Sequence, residues 1–214
     1  MNTVQLSSIG PAEKHVKEFD VIKTNLLLNL GDRKIISFIP TMYSSDVLDL
    51  IVDLAGALAR GQRKVLLVNA DAENPTAFGV ESGANGLFTV LTDEANMEAC
   101  ICRTDVNGLS VLPVGEQPIY ASELLSGVQF TQVLKSFRDA FDYVFILLPP
   151  MDKSIDGIAA SSKTDGCVVI TFTDTAFNKI NGFVGMLKKG TDLIGTILIK
   201  KSSSWKTRLF GNKR

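Results

Sequence analysis

Apolar residues along this chain fall into two alternating kinds of pattern. Short continuous runs such as Ile35-Ile36-Ser37-Phe38-Ile39 read as strands buried on both faces. Between them lie longer stretches in which apolar positions recur every three or four residues, the period of an amphipathic helix. In the first stretch Val16, Phe19, Ile22, Leu26 and Leu30 share a face, with Pro11 as a helix-opening residue and Gly31 as a stop, which predicts a helix over 11–30. A strand over 34–39 follows, then a helix over 45–60 with a stripe of Val47, Leu48, Ile51, Leu54, Ala55 and Leu58, ended by Gly61. Further strands are predicted over 64–68, 109–112, 143–148, 166–172 and 193–199. The stretch 86–91 reads as a short helical turn. Further helices are expected over 121–140 (broken at Gly127), 154–162 and 176–189. Fully apolar strands alternating with helices predict an α/β fold with three layers and a mostly parallel sheet. One domain over 1–199 and a tail over 200–214 account for the chain, with no internal repeat or linker.

The first frame, strand 34–39, turn, helix 45–60, strand 64–68, is the one that carries a phosphate-binding loop in many nucleotide hydrolases. The turn here is Pro40-Thr41-Met42-Tyr43-Ser44-Ser45-Asp46-Val47-Leu48, with neither glycine nor lysine. A phosphate loop uses glycines to turn successive N–H groups onto the anion and a lysine to reach its outer oxygens. Ser44 or Ser45 is instead placed to cap the helix, and Asp46 to satisfy its dipole.

Charge adds an asymmetry. The net charge is −1, yet Lys200, Lys201, Lys206, Arg208, Lys213 and Arg214 stand among the last fifteen residues without an acid. Removing these from the 22 basic residues leaves 16 against 23 acidic ones. A short basic end on an acidic body suits an interaction tail, not a nucleic-acid-binding face. Trp205, Leu209 and Phe210 interleave with the basic residues, and Trp205 and Leu209 would share a helical face. A membrane surface or a protein partner is the expected contact. No apolar run approaches the roughly 18 residues that cross a bilayer, and the first residues lack the features of a secretion signal. The expected location is the cytoplasm.

Other candidate chemistry is thin. Cys100, Cys102 and Cys167 fit neither a disulfide framework nor zinc spacing, and read as reduced structural thiols. His15, the one histidine, reads as a solvated helix residue beside Glu13, Lys14 and Lys17. Asp46, Asp71 and Glu73 could form a metal site, but read more simply as solvated carboxylates at the sheet's C-terminal edge. No cofactor is expected.

Six pieces in order resemble the cytoplasmic tyrosine-kinase domain of bacterial capsule and exopolysaccharide systems, a relative of the MinD/ParA-type ATPases. They are Ile22-Lys23-Thr24-Asn25-Leu26, Asp53-Leu54-Ala55-Gly56-Ala57-Leu58-Ala59 running into Lys64-Val65-Leu66-Leu67-Val68-Asn69-Ala70-Asp71, and Gly86-Leu87 with Val90-Leu91-Thr92. Leu112-Pro113-Val114-Gly115 follows, then Ser122-Glu123-Leu124-Leu125-Ser126, then Phe141-Asp142-Tyr143-Val144 with Pro149-Pro150. The similarity spans residues 17 to 199 and implies a P-loop-type fold.

Set on that pattern, the family's functional residues do not carry over. Its phosphate-loop lysine falls on Val47, its magnesium-binding Ser/Thr on Leu48, and the flanking glycines on Ser44 and Asp46. The first aspartate after the second strand falls on Asn69, and only Asp71 matches. The later aspartate falls on Leu147, and the adenine-side asparagine on Ile199. The family's tyrosine-rich tail has no counterpart. A triphosphate carries about four charges, and each charged hydrogen bond offsetting them is worth about 1.5–3 kcal/mol. The resemblance therefore implies an inactive, pseudokinase-like relative with no catalytic residue. Alternatives are a divergent ATPase or tyrosine kinase with a rebuilt site, and a MinD/ParA-like positioning protein without nucleotide switching.

The family also joins subunits through a glutamate and two arginines on the first helix. These positions are Lys17, Asp20 and Lys23, two of them reversed in sign. The resemblance implies poor self-assembly in the family's ring and docking onto an active kinase or a membrane chain-length regulator. It also implies a location at the inner face of the cell membrane.

Overall fold

A computed structural model describes residues 3–6, 16–81, 83–116 and 118–200. Eight strands form one sheet: β1 (Thr3–Val4), β2 (Ile35–Pro40), β3 (Val65–Asn69), β4 (Cys102–Thr104), β5 (Leu109–Leu112), β6 (Tyr143–Leu147), β7 (Gly166–Phe172) and β8 (Leu193–Ile199). Their spatial order is β1-β4-β5-β3-β6-β2-β7-β8, parallel throughout except for the antiparallel β4–β5 pair. The helices are α1 (Val16–Leu30), α2 (Ser45–Arg60), α3 (Leu87–Leu91), α4 (Met97–Cys100), α5 (Ala121–Ser126), α6 (Val128–Ala140), α7 (Asp156–Ser161) and α8 (Phe177–Leu187).

The apolar runs do what their composition requires. Every residue of β2, β3 and β7 is buried. Pleating sends alternate side chains to opposite faces. Ile36 and Phe38 join the core under α1 and α2, while Ile35 and Ile39 join the core under α6 and its neighbours. Phe38 meets Phe145 of the adjacent β6 edge to face, with ring centroids 4.9 Å apart. At the entry to β2, the Asp165 carboxylate accepts from the N–H groups of Lys34 and Ile35, each at 2.9 Å, and from Arg138. Burial alone would raise its pKa, but Arg138 and the two N–H groups hold it below the ordinary value.

Two of the sequence motifs meet in space. Leu87 N–H donates to Pro113 O at 2.8 Å and Phe88 N–H to Val114 O at 2.9 Å. Gly86 lies so close to this strand end that a Cβ would sit 2.2 Å from Pro113 O. Glycine is required there by the approach of two backbones.

The structure also departs from the sequence reading. Strand 34–39 runs one residue further, to Pro40, whose missing N–H costs nothing at a strand end. Helix 154–162 contracts to Asp156–Ser161 and helix 176–189 to Phe177–Leu187. The sequence pattern marks neither the α4 turn nor the β4 strand, whose three or four residues are too short for a period to register. Strand β8 is only half covered, so it departs from the expectation of burial on both faces. Cys100 and Cys167 are buried and Cys102 half-buried, all as free thiols. Residues 11–15 of the expected first helix, His15 among them, and the tail from Lys201 lie outside the described residues.

Gly86→Ala should lower stability by about 3 kcal/mol, near the upper end for overpacking, because the clash is with backbone that has no rotamer to change. Thermal or urea unfolding measures this.

Candidate functional site

Strands β3, β6 and β2 are neighbours, so the loops leaving their C-terminal ends converge at one edge of the sheet, where ligands bind in open α/β folds. The loop after β2 is short and self-contained. Thr41 is buried; its N–H donates to Ile170 O at 2.8 Å and its hydroxyl to Thr171 Oγ1 at 3.2 Å. Ser44 is the N-cap of α2: its extended backbone (φ −160°, ψ 147°) lets Oγ accept from Asp46 N–H at 3.2 Å. Ser44 O accepts from Val47 N–H at 3.1 Å. Asp46 occupies the first turn of α2, exposed. No residue from 40 to 48 has a positive φ, so the backbone is not turned into a phosphate nest. Val47 is only 1% exposed and lies in the core under α2, and Leu48 packs against that core.

The loop after β3 is stapled by Asn69. This buried side chain accepts from Asp71 N–H at 2.9 Å and donates to Asn74 O at 2.9 Å. Leu147, at the end of β6, is buried in the core, and its carbonyl accepts from Ala70 N–H at 2.9 Å. The next loop is fastened in turn by Met151 N–H, which donates to Pro40 O at 2.9 Å. Ile199 ends β8 at the border of the sheet, where its carbonyl accepts from Thr173 N–H at 3.0 Å.

One expectation is corrected here. Asp71 is no solvated loop carboxylate: it is 2% exposed, covered where the neighbouring loops fold over the centre of the sheet. Its Oδ1 accepts from Glu73 N–H at 3.3 Å. Desolvation pushes its pKa up to about 6, against the lowering effect of that N–H and with some help from Glu73. Asp71 lines a cavity of about 250 Å³ with Tyr43, Glu73, Asn74, Pro150 and Lys153. Asp46 does not line it. Among the described residues no three His, Cys, Asp or Glu side chains are grouped to hold a metal. The sequence reading singled out Asp71 and Glu73 but not Tyr43, Asn74 or Lys153. Spacing gave no signal for these three, because three separate loops bring them together.

Away from this edge, Lys17 and Asp20 are exposed on α1, and Asp20 pairs with Lys23 at 2.7 Å. The Lys23 ammonium also lies 5.8 Å from the centre of the Phe19 ring. Lys200 is exposed just past β8, while Lys201, Trp205, Lys206, Arg208, Leu209 and Phe210 lie outside the described residues. No helix among the described residues is long and apolar enough to cross a membrane.

This architecture, with a phosphate-loop frame at the switch point of a mostly parallel sheet, is that of the P-loop class. A family model described as an AAA domain matches residues 49–195, and the chain belongs to that family. Over 206 residues it is 27% identical to the tyrosine-protein kinase CpsD of Streptococcus agalactiae serotype Ia, covering 92% of this chain and 88% of that protein. The crystal structure of the chimerical protein CapA2B2 superposes with a TM-score of 0.80 at 20% identity, over 94% of each chain. The septum site-determining protein MinD of Pyrococcus horikoshii, solved with Mg-ADP, superposes with a TM-score of 0.63 at 23% identity, over 81% of this chain and 72% of that one. The fold is thus the one shared by bacterial tyrosine-kinase domains and MinD-type ATPases.

Asp71 gives this edge a pH signature. Its folded pKa of about 6 lies above the ordinary 3.8, so the folded protein binds the proton more tightly than the unfolded chain. Stability therefore falls as pH rises through that window and stays lower above it. Asp71→Asn should raise stability near neutral pH by on the order of 2 kcal/mol and flatten the profile between the two values. Unfolding curves across the window, for the native protein and the variant, measure both effects.

Proposed function

We propose that this chain is a non-catalytic relative of the bacterial tyrosine kinases, acting as a regulatory or scaffolding component of capsule or exopolysaccharide synthesis and export. The observation that carries the reading is the start of α2. Val47 and Leu48, where the family's lysine and Ser/Thr fall, are held by the apolar core, and Ser44 meets an N–H group that a phosphate would otherwise use. Without a lysine, a magnesium ligand and converging N–H groups, phosphoryl transfer lacks both its positioning and its charge stabilisation. Asn69 and Leu147 spend the other family positions on loop fastening and core packing.

The mechanism is occupancy. A kinase-shaped surface docks where an active kinase docks, on the cytoplasmic part of a membrane-spanning chain-length regulator or on the active kinase itself, at the inner face of the membrane. The residues proposed for docking are Lys17, Asp20 and Lys23, and the basic, Trp-containing tail would add attraction to an anionic membrane surface. A divergent ATPase with a rebuilt site is the second reading. It is favoured by one observation, the buried Asp71 in a cavity with Tyr43 and Lys153.

Calorimetric titration of the full chain with ATP and with ADP in Mg²⁺ should give no heat and no thermal stabilisation at millimolar nucleotide. Micromolar binding would put the second reading in first place. In a pull-down with an active kinase of the family, Lys17→Glu combined with Asp20→Arg should lower capture severalfold. Unchanged capture would remove α1 from the interface.

A further inference from the structure

Strand β8 ends the sheet; its register with β7 shifts at a bulge near Ile194, but from Gly195 to Ile199 it runs in regular register. Among the described residues it pairs only with β7, and its seven residues, Leu-Ile-Gly-Thr-Ile-Leu-Ile, include no charge and no proline. Edge strands are commonly kept from pairing with other chains by lysines, prolines or coverage. Ile199 O accepts from Thr173 N–H, so the polar groups of Ile199 face β7. Pleating then turns those of Ile197 the same way and leaves the N–H and C=O groups of Thr196 and Leu198 pointing away from the sheet. Both side chains are exposed, Leu198 at 59%. Between β8 and α1 runs a groove of about 260 Å³, lined by Ile22, Asn25, Leu26 and Ile197 among others. Val21 and Leu28, 60% and 77% exposed, share the helical stripe of Asn25 and extend this apolar margin.

We propose that β8 pairs antiparallel with β8 of a second copy about a two-fold axis, joining two sheets into one. Charge selects the occupant and the direction. Asp192 precedes the strand and Lys200 follows it, both exposed. Antiparallel pairing brings Asp192 of each copy towards Lys200 of the other, twice per dimer. Parallel pairing would set like charges side by side and is incompatible with a two-fold axis. Asp192 also holds Arg33 of its own chain, which fixes the carboxylate at the strand's start. The neutral strand puts no like charges opposite one another, and its outward N–H and C=O groups find partners in the same groups of the second copy. Such pairing uses up the β8 edge, and the opposite border of the sheet is the two-residue β1, so assembly stops at the dimer. This contact uses the β8 edge and the Val21–Leu28 margin, and it is independent of nucleotide binding.

Sedimentation velocity of the full chain over the micromolar range should show a monomer–dimer equilibrium. Leu198→Lys, at an exposed position, should raise the dissociation constant about ten-fold or more while leaving the circular dichroism spectrum and melting temperature unchanged. Lys200→Asp should weaken the dimer, while Lys200→Arg, which keeps the charge, should preserve it. Should Leu198→Lys fail to fold, the two Lys200 variants decide alone, since that residue lies outside the strand. A monomer at every concentration overturns the proposal. So does a dimer indifferent to these substitutions, or one that disappears when residues 201–214 are removed while the β8 substitutions have no effect.

Discussion

Parallel strands buried on both faces leave only their ends for anything beyond packing, and this constraint governs the molecule. The middle of β2, β3, β6 and β7 is closed to solvent by helices on either side. Within the described residues, recognition falls to the loops at the sheet's C-terminal edge, the outer helices and the border strand. The sheet order places the ends of β2, β3 and β6 side by side, so those loops form one surface.

At that surface a helix begins, and its first N–H groups need acceptors whether or not a ligand comes. An anion is one answer and a side chain is another. Here Ser44 supplies the acceptor and Asp46 the negative charge. With both supplied by the chain, this helix start needs no glycine nest, and Val47 beside the cap is buried in the core. The same exchange occurs at Asn69, whose amide ties its loop at two points. The buried Asp71 runs against this trend, since desolvation pushes its pKa up to about 6.

Much of this was legible in the chain. The burial of Ile35, Ile36 and Phe38 follows from an unbroken apolar run, and a cap at Ser44 or Ser45 from serines just before an apolar stripe, which the structure resolves to Ser44. The pairing of Gly86-Leu87 with Pro113-Val114 could be read as two motifs but not as a contact, because nothing in a linear pattern says that two backbones touch. Asp71 was misjudged for a related reason. A carboxylate in a loop is usually wet, and only the loops after β2 and β6 folding over it make it dry. Tyr43 and Lys153 join it from segments more than a hundred residues apart in the sequence. The α4–β4 segment escaped because its elements are too short to show a period.

The fastening of these loops has a consequence for control. Proteins that switch with a bound nucleotide keep loops loose until the phosphates order them. Ser44, Asn69 and the bond from Met151 to Pro40 already hold the three loops of this edge in place. Little is left for a ligand to order, and the surface is finished when the chain folds.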